Sequence, residues 1–315
     1  MKAPVPSLEF PERHAFTVTR LPLYARFVRM YIVDPPLAAM VGIAAGFGAV
    51  APRAASVLKV LLLLAMCTVL VYVVHVLDDI TGLKTGTDLK TALRKAKIGE
   101  PKLLATGVLS LGEARSVLLV LVAVAAGLAV PVLAFAPPRA VVAIILAIVI
   151  AGQYSSGARW SYHGLGELSV LLAYGALAVV PYVYLTGEFG SRILWIGLLV
   201  GLAIVLANFC SNFVDVEEDA STGRKSLVVL LGVQRTKILF TALVAGFWLL
   251  YATCWWRGVV PRAAAVVAAL LPFHMLAVRY VWNDRPLEAR RTCFTSNRLH
   301  AVFLTASLWV ETLTR

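Results

Sequence analysis

Long apolar segments alternate with short polar segments along most of the chain. A helix of about 17 to 25 residues crosses a bilayer, so this pattern predicts a polytopic membrane protein. Nine spans are predicted, at 34–51, 54–77, 115–135, 139–154, 165–186, 191–213, 236–256, 262–282 and 298–313. Residues 1–33 carry charges and prolines instead of a short apolar core, which predicts a cytoplasmic or interfacial segment and no cleavable signal peptide. Residues 34–315 are predicted to form one all-helical transmembrane domain.

The composition agrees with this fold class. Hydrophobic residues make up 60% of the 315 positions, charged residues make up 15%, and the mean hydropathy is +0.84, which excludes an ordinary soluble domain. If the N-terminus is cytoplasmic, the cytoplasmic segments carry 21 of the 29 lysines and arginines, the opposite segments carry six, and Lys59 and Arg279 lie within spans. The net charge of +12 therefore indicates topology and affinity for the lipid bilayer, and not nucleic-acid binding.

Four oxygen-bearing side chains lie where the sixth predicted span ends. Asn208, Asn212, Asp215 and Asp219 are 4, 3 and 4 residues apart. On a helix this spacing places them within roughly 60° of one face. The unbroken apolar run 193–207 precedes them. Oxygen-only ligands suit a hard cation, and Mg2+ held by one or two carboxylates usually shares the phosphates of a bound substrate.

The loop after this face supplies Arg224 and Lys225, whose donors fit phosphate oxygens. The alternative is that these charges only keep the end of a membrane helix in water. Two asparagines and two aspartates on one face, followed by Gly223 and two cations, favour a site for a metal and a diphosphate, over 208–225.

This stretch resembles the second aspartate-rich motif of the UbiA superfamily of intramembrane prenyltransferases. The resemblance is carried by Asp215-x-x-x-Asp219-x-x-x-Gly223-x-Lys225-Ser226-Leu227-x-Val229-x-x-Gly232. Asn212 matches an asparagine three residues before the first aspartate. Ser211 and Val214 replace the asparagine and arginine common in the menaquinone-pathway branch.

The end of the second predicted span is similar to the first motif of the same superfamily, over 75–88. The menaquinone-branch form reads roughly N-x-x-N-D-x-x-D-x-x-x-G-x-D. In this chain His75 and Asp78 replace the two asparagines, Asp79 and Asp88 match, and Gly82 stands where an aspartate is expected. His75, Asp79 and Gly82 share a helix face, and Asp78 is rotated by about 100° from Asp79.

Two positions of this motif leave alternatives open. His75 is a base, a hydrogen-bond donor to diphosphate, or a buried helix residue satisfied by a neighbour. Gly82 either weakens a metal site, so that Gly82→Asp would tighten the Mg2+ requirement, or leaves room for a folded substrate.

The loop that follows is strongly basic. A solvated loop on the cytoplasmic side explains most of its charges, which are Lys84, Lys90, Arg94, Lys95, Lys97 and Lys102. In the family pattern a basic residue precedes an L-x-x-G-x-x-S segment, which Lys102 and the run 104–110 resemble. The resemblance therefore adds Lys102 and Lys90 as diphosphate ligands.

A third region is similar to the 1,4-dihydroxy-2-naphthoate prenyltransferases. It contains Tyr154-Ser155-Ser156-Gly157, then Arg159, then Gly164-Leu165-Gly166-Glu167. The resemblance implies that Tyr154, Arg159 and Glu167 bind an aromatic acceptor. Glu167 could instead be a first-turn carboxylate favoured by the helix dipole, and Tyr154 an interfacial residue.

Together these resemblances imply nine helices around a central cavity, arranged as two four-helix halves with a ninth helix added and both motifs on the cytoplasmic side. They imply Mg2+ as cofactor and a polyprenyl diphosphate and a small aromatic acceptor as partners. The last three spans and the loop 283–297 carry no recognisable chemistry.

Particular residues follow from the two motifs. Asp78, Asp79, Asp88, Asp215 and Asp219 would carry the metal, with Asp79, Asp215, Asp219 and His75 catalytic. Diphosphate would be bound by Asn208, Asn212, Lys225, Arg224, Lys102 and Lys90.

Two other functions stay open. A UbiA-type terpene cyclase would ionise the same diphosphate and capture the cation with the substrate's own double bonds, which the altered first motif favours. A transporter with ion-binding carboxylates would not need the Gly-x-Lys-Ser-Leu continuation after Asp219.

Overall fold

The computed structural model describes residues 17–30, 32–50, 54–90, 92 and 102–314, and this part of the chain is all-helical. Residues 1–16 of the N-terminal segment and Arg94, Lys95 and Lys97 of the basic loop lie outside the described residues. The helices are α1 (Leu21–Phe27), α2 (Asp34–Ala49), α3 (Ala54–Thr85), α4 (Leu111–Phe135), α5 (Pro138–Gly152), α6 (Gly166–Thr186), α7 (Ser191–Val214), α8 (Val216–Thr222), α9 (Leu227–Leu231), α10 (Val233–Trp256), α11 (Leu271–Trp282) and α12 (Pro286–Thr314). A 3-10 segment, Arg262–Leu270, leads into α11.

Six described segments are long and apolar enough to cross a membrane. They are Ser56–Thr85 within α3, then α4, α6, α7, α10 and the combined segment Arg262–Trp282. The remaining predicted spans also coincide with helices, since α2, α5 and α12 lie at those positions. However, α2 and α5 have 16 and 15 residues, and α12 is polar over its first half. The number of crossings beyond six stays a prediction.

Helix α7 occupies the centre of the bundle. In its most apolar 18-residue window 72% of the residues are buried inside the protein, whereas the other five candidate spans have 17–39%. It packs against α6, α10 and α12. Because the central helix ends at the second motif, the polar residues of that motif lie in the interior of the bundle and not at its lipid-facing rim.

The close approach of α2 to α6 depends on Gly42. A Cβ atom at this position would lie 1.8 Å from the carbonyl oxygen of Ala178. Small residues at such crossings let two helix backbones meet, which is how membrane helices gain packing contacts. This contact fixes the start of α2, and with it Asp34, beside the motif-bearing end of α7.

Two helices extend beyond their predicted spans. The second span was expected to end at 77, but α3 continues to Thr85, and the last span was expected from 298, but α12 begins at Pro286. Hydropathy marks the part of a helix that lies in hydrocarbon, whereas backbone hydrogen bonding continues into polar surroundings. As a result, much of the first motif lies on a helix, ending at Gly86 with φ 76°.

The last helix is not a peripheral addition. Helix α12 packs against both α7 and α2, and its polar first half reaches the same end of the bundle as the two motifs. The sequence showed no recognisable chemistry in the loop 283–297, whereas the structure places residues of this segment at the cavity.

Candidate active site

One cavity of about 530 Å³ brings the two aspartate motifs together. Among the residues singled out from the sequence, those lining it are Asp78, Asp79, Gly82, Asp88, Lys102, Tyr154, Asn208, Asn212, Asp215, Asp219 and Arg224. Five others, His75, Lys90, Arg159, Glu167 and Lys225, lie outside the lining described for it. Segments more than 100 residues apart along the chain therefore meet in one chamber.

The second motif keeps helical hydrogen bonding across the junction of α7 and α8. The backbone nitrogen of Asp215 donates to the carbonyl of Ser211 (3.1 Å), and that of Asp219 donates to the carbonyl of Asp215 (2.9 Å). The four oxygen-bearing residues therefore stay on one face and point into the cavity, as their spacing indicated. Asp219 is buried, with 1% of its surface exposed.

Two glycines turn the chain back over the cavity after α8. Gly223 and Gly232 have φ values of 77° and 76°, in the left-handed region that side chains disfavour. The first turn delivers Arg224, which donates to the hydroxyl of Tyr154 (3.2 Å) and lies 3.8 Å from Oδ1 of Asp219. Burial lowers the pKa of Arg224, but Tyr154 and Asp219 raise it more, so the guanidinium stays charged.

Lys225 is placed differently from its neighbour. Its backbone nitrogen donates to the carbonyl of Tyr162 (3.4 Å), and its side chain is exposed. Lys90 is also exposed and donates to the carbonyl of Ser221 (2.8 Å), which ties the first-motif loop to α8. These lysines stay predicted diphosphate ligands, although neither of them belongs to the described cavity lining.

Glu167 lies outside the cavity lining and hydrogen-bonds a residue of the second motif. It is the second residue of α6, and its Oε1 accepts a hydrogen bond of 2.5 Å from Nδ2 of Asn212. Both residues are buried, at 6% and 8% exposure. This pairing orients Asn212, whereas the predicted acceptor role of Glu167 gains no support from its position. Arg159, the other acceptor candidate outside the lining, is exposed at a turn with φ 52°.

The carboxylates of the first motif are paired with two cations. Oδ1 of Asp79 accepts from Nη2 of Arg29 (2.7 Å) and from Nζ of Lys102 (2.8 Å), and Nζ of Lys102 also lies 3.1 Å from Oδ1 of Asp88. Burial raises the pKa of Asp88 to about 6 although Lys102 opposes the shift. Burial lowers the pKa of Lys102, but Asp79 and Asp88 more than compensate, and the net shift is upward.

The space above Gly82 is filled by Asp88. A Cβ atom at position 82 would lie 2.6 Å from Cγ and Oδ2 of Asp88. Although Gly82 lines the cavity, it is packed against Asp88 and not against open space. It makes room for the carboxylate six residues later.

His75 faces Arg29 and not the cavity. Its Nδ1 lies 3.4 Å from Nη1 of Arg29. Since a guanidinium only donates, Nδ1 is the acceptor, which makes the imidazole neutral with its proton on Nε2. Arg29 thus satisfies Nδ1 of His75, whereas Nε2 is buried with no hydrogen-bond partner among the described residues, so the three roles stay open.

Several cavity residues were not found from the sequence. Arg29 was read only as part of an interfacial segment, and α12 contributes a face of residues spaced 1, 4, 5 and 8 positions after the first, namely Arg290, Arg291, Phe294, Thr295 and Arg298. That helical spacing was the available signal. Asp34, with 2% exposure, receives hydrogen bonds from Arg298 (3.0 Å) and Asn297 (3.0 Å), and so joins α2 to α12 at the cavity.

The second motif fits Mg2+ by the chemistry of its donors. Carboxylate and amide oxygens line the cavity on one face, and no nitrogen or sulfur ligand accompanies them in that set. Within the described part of the chain, no three histidine, cysteine or acidic side chains converge on one metal position. Mg2+ bound by one or two carboxylates and completed by phosphate oxygens and water needs no such convergence.

Comparison with known proteins decides the family. The model of the UbiA prenyltransferase family matches residues 37–301. The chain belongs to the UbiA prenyltransferase family. The match covers both motifs, the Tyr154 to Glu167 region and nearly all helices.

Two similar curated proteins are naphthoate prenyltransferases. The 1,4-dihydroxy-2-naphthoate octaprenyltransferase of Mycobacterium tuberculosis is 34% identical over 235 residues, which cover 69% of this chain and 75% of that protein. The 2-carboxy-1,4-naphthoquinone phytyltransferase of Synechocystis is 30% identical over 145 residues, covering 45% of this chain and 47% of that protein. The chain thus matches about half the length of the Synechocystis relative.

Solved structures share the fold. An apo UbiA homolog from Aeropyrum pernix superposes with a TM-score of 0.66 at 17% identity, over 90% of this chain and 98% of that chain. A UbiA homolog from Archaeoglobus fulgidus, solved with GPP and Mg2+, superposes with a TM-score of 0.61 at 16% identity, over 91% and 99%. UbiA-family members therefore have the same helical arrangement as this chain.

Proposed function

We propose that this protein is a Mg2+-dependent prenyltransferase that moves a polyprenyl group from its diphosphate to an aromatic acceptor bearing a carboxylate. The observation that carries the proposal is the single cavity in which both aspartate motifs, Arg224 and Lys102 meet. Family membership and the naphthoate-prenylating relatives support it. Mg2+, when bound, would neutralise charge on the diphosphate leaving group.

The side chains divide this work by position. Asp215 and Asp219, with Asn208 and Asn212 on the same face, would hold the metal and the diphosphate. Arg224 is held beside them by Tyr154 and offers guanidinium donors to phosphate oxygens. As the C1–O bond to diphosphate breaks, an allylic cation forms. A ring carbon of the acceptor then bonds to C1, and the ring loses a proton.

The arginines of α12 suit an aromatic acceptor that bears a carboxylate. Arg291 and Arg298 line the cavity together with Phe294, so an aromatic ring and cations lie on one wall. An aromatic carboxylate would use both features, since its carboxylate would pair with an arginine and its ring would pack against Phe294. Asp88 lies against Gly82, so this position does not offer the open space that a folding substrate would need.

We also propose that α2, α5 and α12 cross the membrane with the six long apolar segments. This gives nine spans, with the N-terminus and both motifs on the cytoplasmic side. At about 1.5 Å per residue, the 16 residues of α2 and 15 of α5 fall short of a 30 Å core, so local thinning would accommodate them.

Product analysis tests the proposal. Membranes containing the protein, Mg2+ and geranylgeranyl diphosphate are incubated with and without 1,4-dihydroxy-2-naphthoate, and the products are identified by mass spectrometry. We expect a prenylated aromatic only when the acceptor is present, and no product in excess EDTA. A cyclic hydrocarbon formed without acceptor would establish the cyclase instead, and full activity in EDTA would refute metal dependence.

A further inference from the structure

The ammonium of Lys102 lies between Asp79 and Asp88, two of the three carboxylates that the first motif contributes to the cavity. Its Nζ is 2.8 Å from Oδ1 of Asp79 and 3.1 Å from Oδ1 of Asp88. Both aspartates are buried, at 5% and 7% exposure. Mg2+ binds oxygen at about 2.0 to 2.1 Å, so an ion bridging these two oxygens would need the volume that the ammonium fills.

A second cation strengthens this arrangement. Nη2 of Arg29 lies 2.7 Å from the same Oδ1 of Asp79. The backbone of Arg29 has φ 62°, a conformation uncommon outside glycine, and in it the guanidinium reaches both Asp79 and His75. Asp79 and Asp88 thus face two positive side chains, which supply positive charge where a metal ion bridging these two carboxylates would supply it.

The motif also lacks a ligand at position 82, where the family pattern has an aspartate. Position 82 is glycine, and any side chain there would have to displace the carboxylate of Asp88, which lies 2.6 Å from where its Cβ would be. The donor set of the first motif therefore does not fit Mg2+. By contrast, the second motif presents two carboxylates and two amides on one cavity-facing helix face.

We propose that Lys102 takes the place of a divalent cation at the first motif, so that the chain binds one Mg2+, at Asp215 and Asp219. This inference rests on the proposed function and specifies its metal content. Asp79 and Asp88 are then positioning residues that hold Lys102 and Arg29 towards the diphosphate.

The donor count of the ammonium fits this role. A lysine ammonium has three N–H donors, and among the described residues Asp79 and Asp88 occupy two of them. The third can bind a phosphate oxygen. A fixed ammonium thus supplies the charge compensation and the hydrogen bond that a second metal ion would otherwise give to the leaving group.

Counting bound Mn2+ tests the inference without relying on turnover. The purified full-length protein in nanodiscs is titrated with Mn2+ in the presence of unreactive geranylgeranyl thiodiphosphate, and free Mn2+ is measured by electron paramagnetic resonance. We expect one Mn2+ per chain. Lys102→Ala, which removes the ammonium between Asp79 and Asp88, should raise the count to two.

Two further variants complete the design. Asp215→Asn should lower the count from one to near zero, and Lys84→Ala, which removes an exposed lysine at the end of α3, should leave it at one. Size-exclusion profiles and thermal unfolding establish that each variant is folded. The wild-type and Asp215→Asn counts test the inference even if Lys102→Ala fails to fold.

The possible counts separate the two proposals. Two Mn2+ per wild-type chain, or one remaining in Asp215→Asn, would overturn the role of Lys102 and leave the prenyltransferase proposal standing. A count of one in a folded Lys102→Ala would overturn it as well. No Mn2+ bound to the wild type, with or without the thiodiphosphate, would refute both.

Discussion

The left-handed backbone of Arg29 costs about 1 to 2 kcal/mol in a residue with a side chain. Such strain persists only where surrounding contacts hold it, and here those contacts are Asp79 and His75 in the cavity wall. Arg159 carries the same type of strain, with φ 52°, but its side chain is exposed. A left-handed backbone therefore does not by itself mark a cavity residue, since Arg29 lines the cavity and Arg159 does not.

We predict that Arg29→Gly relieves the strain yet lowers kcat/KM by at least about 10-fold, because a charge-assisted hydrogen bond is lost. The melting temperature should not fall in proportion. Arg159→Gly is the matched control and should leave both activity and the KM for acceptor unchanged. A selective rise in acceptor KM in Arg159→Gly would instead restore its predicted role at the acceptor site.

Gly82 gives a second prediction at this scale. Gly82→Ala places a methyl group 2.6 Å from the carboxylate of Asp88, and overpacking of this kind costs about 1 to 3 kcal/mol. We expect lower thermal stability and lower activity, since Asp88 must move away from Lys102. Gly246→Ala, with nothing within 4 Å of its Cβ, is the control. Unchanged stability and activity in Gly82→Ala would show that Asp88 moves freely.

At the scale of the element, the second motif depends on a helix that continues past its membrane-buried part. Helix α7 is buried over most of its length, and α8 carries the same hydrogen-bond register onward to Asp219. The two left-handed glycines then return the chain, so that Arg224 reaches Tyr154. Local backbone chemistry thus places a carboxylate and a guanidinium on the same side of the cavity.

Helix α8 offers a controlled test of this placement. Asp219→Ala should lower kcat by at least about 100-fold, the usual effect of losing a group that stabilises developing charge. Glu217→Ala removes a carboxylate from the exposed face of the same helix and should have no effect. Rates are measured at saturating Mg2+. Equal losses in the two variants would mean that activity depends on the total negative charge of α8 and not on the helix face that Asp219 occupies.

At the scale of the whole molecule, the cavity is completed by contacts between the last helix, α12, and helices from the start of the chain. Asp34 at the start of α2 and Arg298 in α12 are 264 residues apart, and they form an ion pair at the cavity in which only the carboxylate is buried. Packing of α12 against α2 and α7 brings its arginine-bearing face to the cavity. The cavity wall proposed to bind the acceptor therefore forms only when α12 packs against α2 and α7.

Arg291 provides the test at this scale. Arg291→Gln should raise the KM for a carboxylate-bearing acceptor by roughly 10-fold, the value of a hydrogen bond to a charged group. The KM for prenyl diphosphate should stay unchanged. Arg285→Gln, at an exposed arginine that pairs with Glu288 one turn away, is the control. A rise confined to the prenyl diphosphate KM would assign Arg291 to the diphosphate instead.

The sequence by itself determined the helical class, the positions of the apolar segments and the two carboxylate faces. Each of these depends on hydrophobicity or on spacing within a few turns of one helix, which is local information. It also pointed to Arg224 and Lys102, through residue type and motif order. It could not show that Lys225 would turn outward while its neighbour Arg224 turned inward, because a one-residue difference on a short turn is set by what the turn packs against.

Only the tertiary structure decided which charges meet. Arg29 and Asp79 are 50 residues apart, Lys102 and Asp79 are 23 apart, and Glu167 and Asn212 are 45 apart. Each pair joins different helices or loops, so its distance depends on how the bundle closes and not on local propensity. The same holds for the arginines of α12, whose helical spacing is visible in the sequence but whose neighbours are not. Partner choice for a buried charge is a property of the assembled cavity, because the cost of burying it falls only when a second element brings the opposite charge.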